Sequence, residues 1–308
     1  SAIGADGATA DFLNTGTLSL DASAFASADG TTGELAFAYG LVTGIQLFAS
    51  ATGVGDAVID ADNQGSISVA AKAEALSAGP AFAQATAVLG IDAIANAAHG
   101  DAIIDIANSG DIAVVANAQA TGLHAATAVA VGVGGIVAIG SAQGEGDVSG
   151  SIVNDGSLLV EANAHAQAAT NALAVAIAVT GIYDIAHAAN GDANVSINNS
   201  GTIDVVANAN ATALVAQATG LAGGALFAGG VYQSAGAVNG NAHALLTNSG
   251  DISVAANAHA DGEVVAYANA FGGPGVNQII FSLNGDATAE MTNSGSINLS
   301  ADAEALPV

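Results

Sequence analysis

The sequence predicts an all-β fold, a β-solenoid (parallel β-helix) of about seven coils, on three observations. An Asn-x-Gly element recurs at Asn14, Asn63, Asn108, Asn154, Asn199, Asn248 and Asn293, at intervals of 49, 45, 46, 45, 49 and 45 residues. Each copy is followed by a stretch in which small or aliphatic residues alternate with mostly polar ones. The composition, 52% hydrophobic but only 4% aromatic and with 40 glycines, describes a core packed with small side chains rather than that of an ordinary globule. Self-similarity at this period over the whole chain makes residues 1–308 a single solenoid domain.

The elements of the repeat follow in order. Asn-x-Gly is a turn signal. Its Asn admits two readings: amides stacked along an axis and hydrogen-bonded to one another, or Asn tolerating a left-handed turn. Four residues on stands an aliphatic (Leu18, Ile67, Ile112, Leu158, Ile203, Ile252, Ile297), and two further another (Leu20, Val69, Val114, Val160, Val205, Val254, Leu299). Offsets 8, 10 and 12 are alanine in all seven copies, as in Ala116, Ala118 and Ala120. Between the alanines lie mostly polar residues, among them Asn117, Asn163, Asn208 and Asn257. A period of 2 with β-branched residues is a strand with one face buried; a helix would scatter the polar positions around its axis.

Two further features recur. A Gly precedes an aliphatic at Gly44-Ile45, Gly90-Ile91, Gly135-Ile136, Gly181-Ile182, Gly230-Val231 and Gly275-Val276. Seven residues before the Asn, and always after Gly, stand Asp56, Asp101, Asp147, Asp192, Asn241 and Asp286. Each repeat is therefore several strands joined at tight corners, one broad coil being preferred over two small turns. The 49-residue copies carry their extra residues in mid-repeat, as loop insertions do. Stacking sets equivalent positions about 4.8 Å apart, and ladders of alanine let opposed sheets approach closer than the usual ~10 Å.

Asn-x-Gly followed by alternating aliphatics resembles the repeats of secreted bacterial β-helix proteins of the autotransporter-passenger and filamentous-haemagglutinin-like adhesin type. That resemblance implies a right-handed parallel β-helix, export and a role at the cell surface. The start at Ser1, with neither methionine nor a basic leading segment, reads as a mature exported chain, so an extracellular or cell-surface location is expected.

Charge bounds the partners. There are 27 acidic residues and one basic, Lys72, for a net charge of -26. Such a surface repels phosphate backbones and anionic lipid, so nucleic acid is excluded as a partner. No uninterrupted apolar run approaches the ~18 residues of a membrane-crossing helix, so membrane insertion is not expected. The absence of cysteine excludes disulfides and thiolate metal sites.

Carboxylates stacked ~4.8 Å apart repel by ~1 kcal/mol in water and ~3.5 kcal/mol at an effective dielectric near 20. The series Asp56, Asp101, Asp147, Asp192 and Asp286 is thus a candidate calcium site, calcium being the one cofactor expected. Gly53-Val54-Gly55-Asp56 and Gly144-Glu145-Gly146-Asp147 resemble fragments of the Gly-Gly-x-Gly-x-Asp calcium repeat of RTX proteins. The competing reading is Asp capping a turn. His165 and His259 share offset 11 but stand in non-adjacent copies, and His99, His124, His187 and His243 have no ligand spacing, so all read as surface histidines.

Catalysis is not expected. A β-helix lyase needs a basic residue, for which only Lys72 is available, and a hydrolase needs paired carboxylates in a cleft rather than a recurrent ladder. The expected function is a structural subunit of an extracellular filament or surface layer, polymerising head to tail because neither end carries a capping helix or charged hairpin. The alternatives are a monomeric cell-surface adhesin or stalk segment and, behind it, a carbohydrate-active β-helix enzyme. The regular outward Asn series then offers a surface for glycans, and Asn194, Asn198 and Asn210 stand in glycosylation acceptor patterns.

Overall fold

The computed structural model describes residues 1–29, 34–223 and 229–307. Its strands form two parallel sheets, one of seven strands and one of sixteen. Each strand pairs with its equivalent in the next repeat, as Asn63 with Asn108 and Ala118 with Ala164, so one repeat is one broad coil.

Four faces enclose each coil. Face A is the seven-stranded sheet, from Ala8–Asn14 and Ala57–Asn63 to Ala287–Asn293. Face B is the longer run after the Asn-x-Gly corner, as in Ser66–Ser77 and Asp111–Gly122. Face C, as in Ala36–Val42 and Pro80–Ala87, packs against face B, and face D, as in Ile45–Ala51 and Ile91–Ala97, returns the chain to face A. In the third and fourth coils faces C and D are one strand, Ala125–Ala142 and Asn171–Ala188. In the fifth and sixth, faces B and C are one, Thr202–Ala222 and Asp251–Gly272. Both insertions of the 49-residue copies fall between faces, and residues 30–33 and 224–228 within them lie outside the described residues.

The corner asparagines form an internal ladder. Each Nδ2 donates to the next coil's Oδ1 at 2.7 Å, from Asn14 through Asn63, Asn108, Asn154, Asn199 and Asn248 to Asn293. Asn63, Asn154, Asn199 and Asn248 are fully buried. The left-handed alternative does not hold, because no described residue other than glycine has a positive φ. The corner glycine serves close approach instead: a Cβ on Gly110 would run into the Gly65 carbonyl oxygen of the coil below.

The alanines set the thickness between faces B and C. A Cβ added at Gly40 would lie 2.7 Å from the Lys72 carbonyl oxygen, and one at Gly220 2.6 Å from that of Asn257. Only methyl-sized side chains fit a layer in which one face nearly touches the backbone of the other. The interior widens near the Asn corner, where Ile67, Ile112, Leu158 and Ile203 fill it. The Gly-aliphatic pairs meet them there, since a Cβ on Gly135 would strike Leu158 and one on Gly181 would strike Ile203.

One interior position breaks the apolar pattern. Asp184 projects inward from face D at the position of Ala93 and Ala138, fully buried, with neither carboxylate oxygen hydrogen-bonded among the described residues. It fits because Gly150 stands on face A where other coils have Ile59, Ile104 or Val195, and a Cβ there would strike Asp184 Oδ1. Burial without a partner pushes its pKa from 3.8 up to about 8.

Two predictions follow from this core. Ala209→Leu, in the narrow layer, costs ~1–3 kcal/mol or more by overpacking, while Asn208→Leu on the outer side costs less than ~1 kcal/mol. Urea denaturation measures both, and equal losses would mean the faces are inverted. The folded chain also holds the Asp184 proton where the unfolded chain has released it, so stability falls as pH rises from about 4 to about 8. Asp184→Asn flattens the melting temperature against pH across that window and raises it at pH 8. An unchanged slope would show that Asp184 is not the group responsible.

Candidate functional site

Outward positions of face B build a groove along the solenoid axis, about 460 Å³ in volume. Its floor is the backbone at Ala118, Ala164, Ala209 and Ala258. One wall carries Lys72, Asn117, Asn163, Asn208, Asn257 and Asp302, one residue per coil, and the other carries Gln119, His165, Asn210, His259 and Glu304. The alternation that buries the alanines is what turns both columns outward.

The outer Asn wall is itself a ladder, running opposite to the buried one. Asn163 Nδ2 donates to Asn117 Oδ1 at 2.9 Å, Asn208 to Asn163 at 2.8 Å and Asn257 to Asn208 at 2.8 Å. Each amide keeps a donor or acceptor direction for a ligand, since an amide has two N–H bonds and two lone pairs. Charge collects at the groove ends, with Lys72 3.5 Å from Glu74 and His259 Nδ1 3.1 Å from Glu304. The middle is neutral, polar and periodic at the coil spacing. It offers hydrogen bonding to an extended chain and assembles no nucleophile–base pair among the described residues.

The Asp series forms an exposed column whose members do not converge. Asp56 Oδ1 accepts the backbone N–H of Asp101 at 2.9 Å, Asp101 that of Asp147 at 2.8 Å, and Asp147 that of Asp192 at 2.8 Å. Asn241 N–H donates to Asp192 at 2.7 Å, and Asp286 N–H to Asn241 at 3.0 Å. The side chain therefore caps the corner of the next coil rather than its own turn. Among the described residues no group of three or more His, Asp or Glu side chains gathers in a metal-binding arrangement.

Burial raises the pKa of Asp105, and the neighbouring Asp60 raises it further. Burial likewise raises Asp204, with Asp251 adding to it, and raises Asp92 against the hydrogen bond from Gln46. Of the histidines, His165 and His259 line the groove, His243 stands 3.8 Å from Glu290, and burial lowers the pKa of His187.

Sequence reasoning placed both columns among the polar positions between the alanines but singled out only the Asn column as a regular ladder, because Gln119, His165, Asn210 and His259 share polarity without sharing a residue type. It also passed over Asp184, although the alternation Ile182, Asp184, Ala186, Ala188 marks that position as inward. Comparison with family models, with curated proteins and with solved structures returns no match for this chain, so the groove and the ladders carry the functional argument.

Proposed function

We propose that the chain is a structural segment of an extracellular filament or surface layer, extended head to tail by stacking coil on coil. The observation that carries this reading is the polarity of the buried Asn ladder. Every interior Oδ1 accepts from the coil before it and every Nδ2 donates to the coil after it. The ladder is therefore directional: a coil stacked before a rung meets its acceptor, and a coil stacked after it meets its donor. Apolar rungs agree: Val254, covered by the coil that carries Leu299, is 0% exposed, so it is coil-on-coil stacking that buries this column. Stacking between copies would bury apolar rungs and pair strand edges in the same way. The contact is head to tail and does not close on itself, which gives a filament. Cations, calcium among them, are the counter-ions this assembly requires along the Asp56–Asp286 column.

Electron microscopy and light scattering test the reading. The chain forms filaments as concentration rises, and Leu299→Lys, which sets a charge on the stacking rung, leaves it unassembled without lowering its melting temperature. A wild-type monomer at high concentration, with calcium and across acid to neutral pH, would overturn it.

A second reading, an adhesin or stalk that holds glycans, rests on the face B groove. Amides repeating at ~4.8 Å come close to the rise per residue of an extended glycan chain, so successive sugars meet equivalent partners. Calorimetry with linear neutral oligosaccharides should give binding that Asn208→Leu weakens by about tenfold or more with the fold intact. Binding unaffected by that change would place the ligand elsewhere.

A further inference from the structure

The outward sides of faces C and D are unlike the rest of the surface. In the third coil they present Thr127, Val129, Val131, Val133, Val137 and Ile139. In the fourth they present Leu173, Val175, Ile177, Val179, Tyr183 and Ile185. The inward partners on the same strands are the buried alanines, so these strands are apolar on both sides. That is the composition of a parallel sheet covered on both faces, not of one facing water. Faces A and B show the ordinary alternation, with Asp105, Asn117, Glu161 and Asn163 turned out.

Charge divides the same way. Of the 27 acidic residues, the face C and D stretches carry only Asp92 and Asp184, of which Asp184 points inward, while Asp261 and Glu263 lie at the B–C corner of the sixth coil. Aromatic residues extend it along face C to the outer coils, interspersed with Gln84, Thr86, Gln217, Thr219 and Asn269: Phe37 is 56% exposed and stacked on Phe82 at 5.0 Å, and Tyr267 is 57% exposed. At strand spacing this surface covers roughly 1,000 Å². A monomer's largest apolar patch rarely passes a few hundred Å², and a stable dimer needs about 800 Å² from each partner.

We propose that faces C and D are a lateral contact between two copies of this chain. The occupant follows from charge: a solenoid of net charge -26 meets a second one at least cost where neither carries charge, and this surface is the uncharged one. Its two central coils keep only Thr127, Ser141, Asn171, Tyr183 and His187 as outward polar groups, so it is best matched by an equally apolar partner, and the same face on another copy supplies one in a two-fold arrangement. The contact rests on the filament reading in that it supplies the sideways association of stacked solenoids, but it uses different residues from the end rungs.

Analytical ultracentrifugation of the end-blocked Leu299→Lys chain separates the two. That chain sediments as a dimer, and adding Val129→Glu with Val175→Glu converts it to a monomer of unchanged melting temperature. Because a charge within a sheet can disturb folding, Val129→Thr with Val175→Thr is the companion variant. It keeps shape and strand preference and weakens the dimer by about tenfold or more. An end-blocked chain that stays monomeric at all concentrations overturns the lateral contact and leaves end-to-end stacking intact. Co-sedimentation of that monomer with neutral phosphatidylcholine vesicles, lost in the Val→Glu variant, would overturn it in favour of a lipid surface.

Discussion

Everything in this molecule depends on one constraint: each residue must tolerate its equivalent directly above and below it at the separation of neighbouring strands. Side chains that stack well satisfy this without cost. Alanine on alanine packs a thin layer, isoleucine on isoleucine a thick one, and an amide donates to the amide above it while accepting from the one below. Carboxylate on carboxylate does not satisfy it, because like charges repel at that spacing. In the Asp56–Asp286 column, Asp56, Asp101, Asp147 and Asp192 meet the constraint by each aiming a carboxylate oxygen at the next coil's backbone N–H. Asn241 takes one place in that column with the same hydrogen bond and no charge.

The same constraint explains why so much of the fold was legible. A repeat whose members must match vertically writes its register into the sequence, and the invariant offsets of Asn, aliphatic and alanine residues are that register. The Asn corner, the alternation of face B and the single broad coil could all be read from it. Two things were not legible. The glycine before the aliphatic on face D was visible as a motif, but its reason, contact with Leu158 or Ile203 across the interior, needs the shape of the coil. The groove was half visible, since one wall is a uniform Asn column and the other mixes Gln, His and Asn. Uniformity is what marks a ladder in a sequence, and a wall defined only by direction and polarity reads as polar alternation and no more.

Asp184 shows how a repeat absorbs an exception. Its carboxyl occupies space that Gly150 vacates on the opposite face, so the change in one coil is matched within that coil and the stack continues on both sides. The geometry is compensated and the solvation is not, which is why burial alone dominates its proton affinity. The neighbouring coils carry on the polar interior through Gln233, which donates to the Leu245 carbonyl, and Gln278, which donates to Gln233 at 2.8 Å. A local polar seam thus runs inside an otherwise apolar rod.

The direction of the backbone hydrogen bonds has a mechanical consequence. In a parallel stack they lie along the solenoid axis, with a whole coil of them at every boundary between rungs. A load applied across the end rungs is therefore shared by every bond of a boundary at once, and the rod resists it as a bundle. A load applied to the two ends of the polypeptide acts on the outermost strand alone, breaks its bonds in succession and unwinds the rod one turn at a time. The same contacts are strong against tension along the axis and weak against peeling of a single thread, so the rod's resistance to pulling depends on where it is gripped.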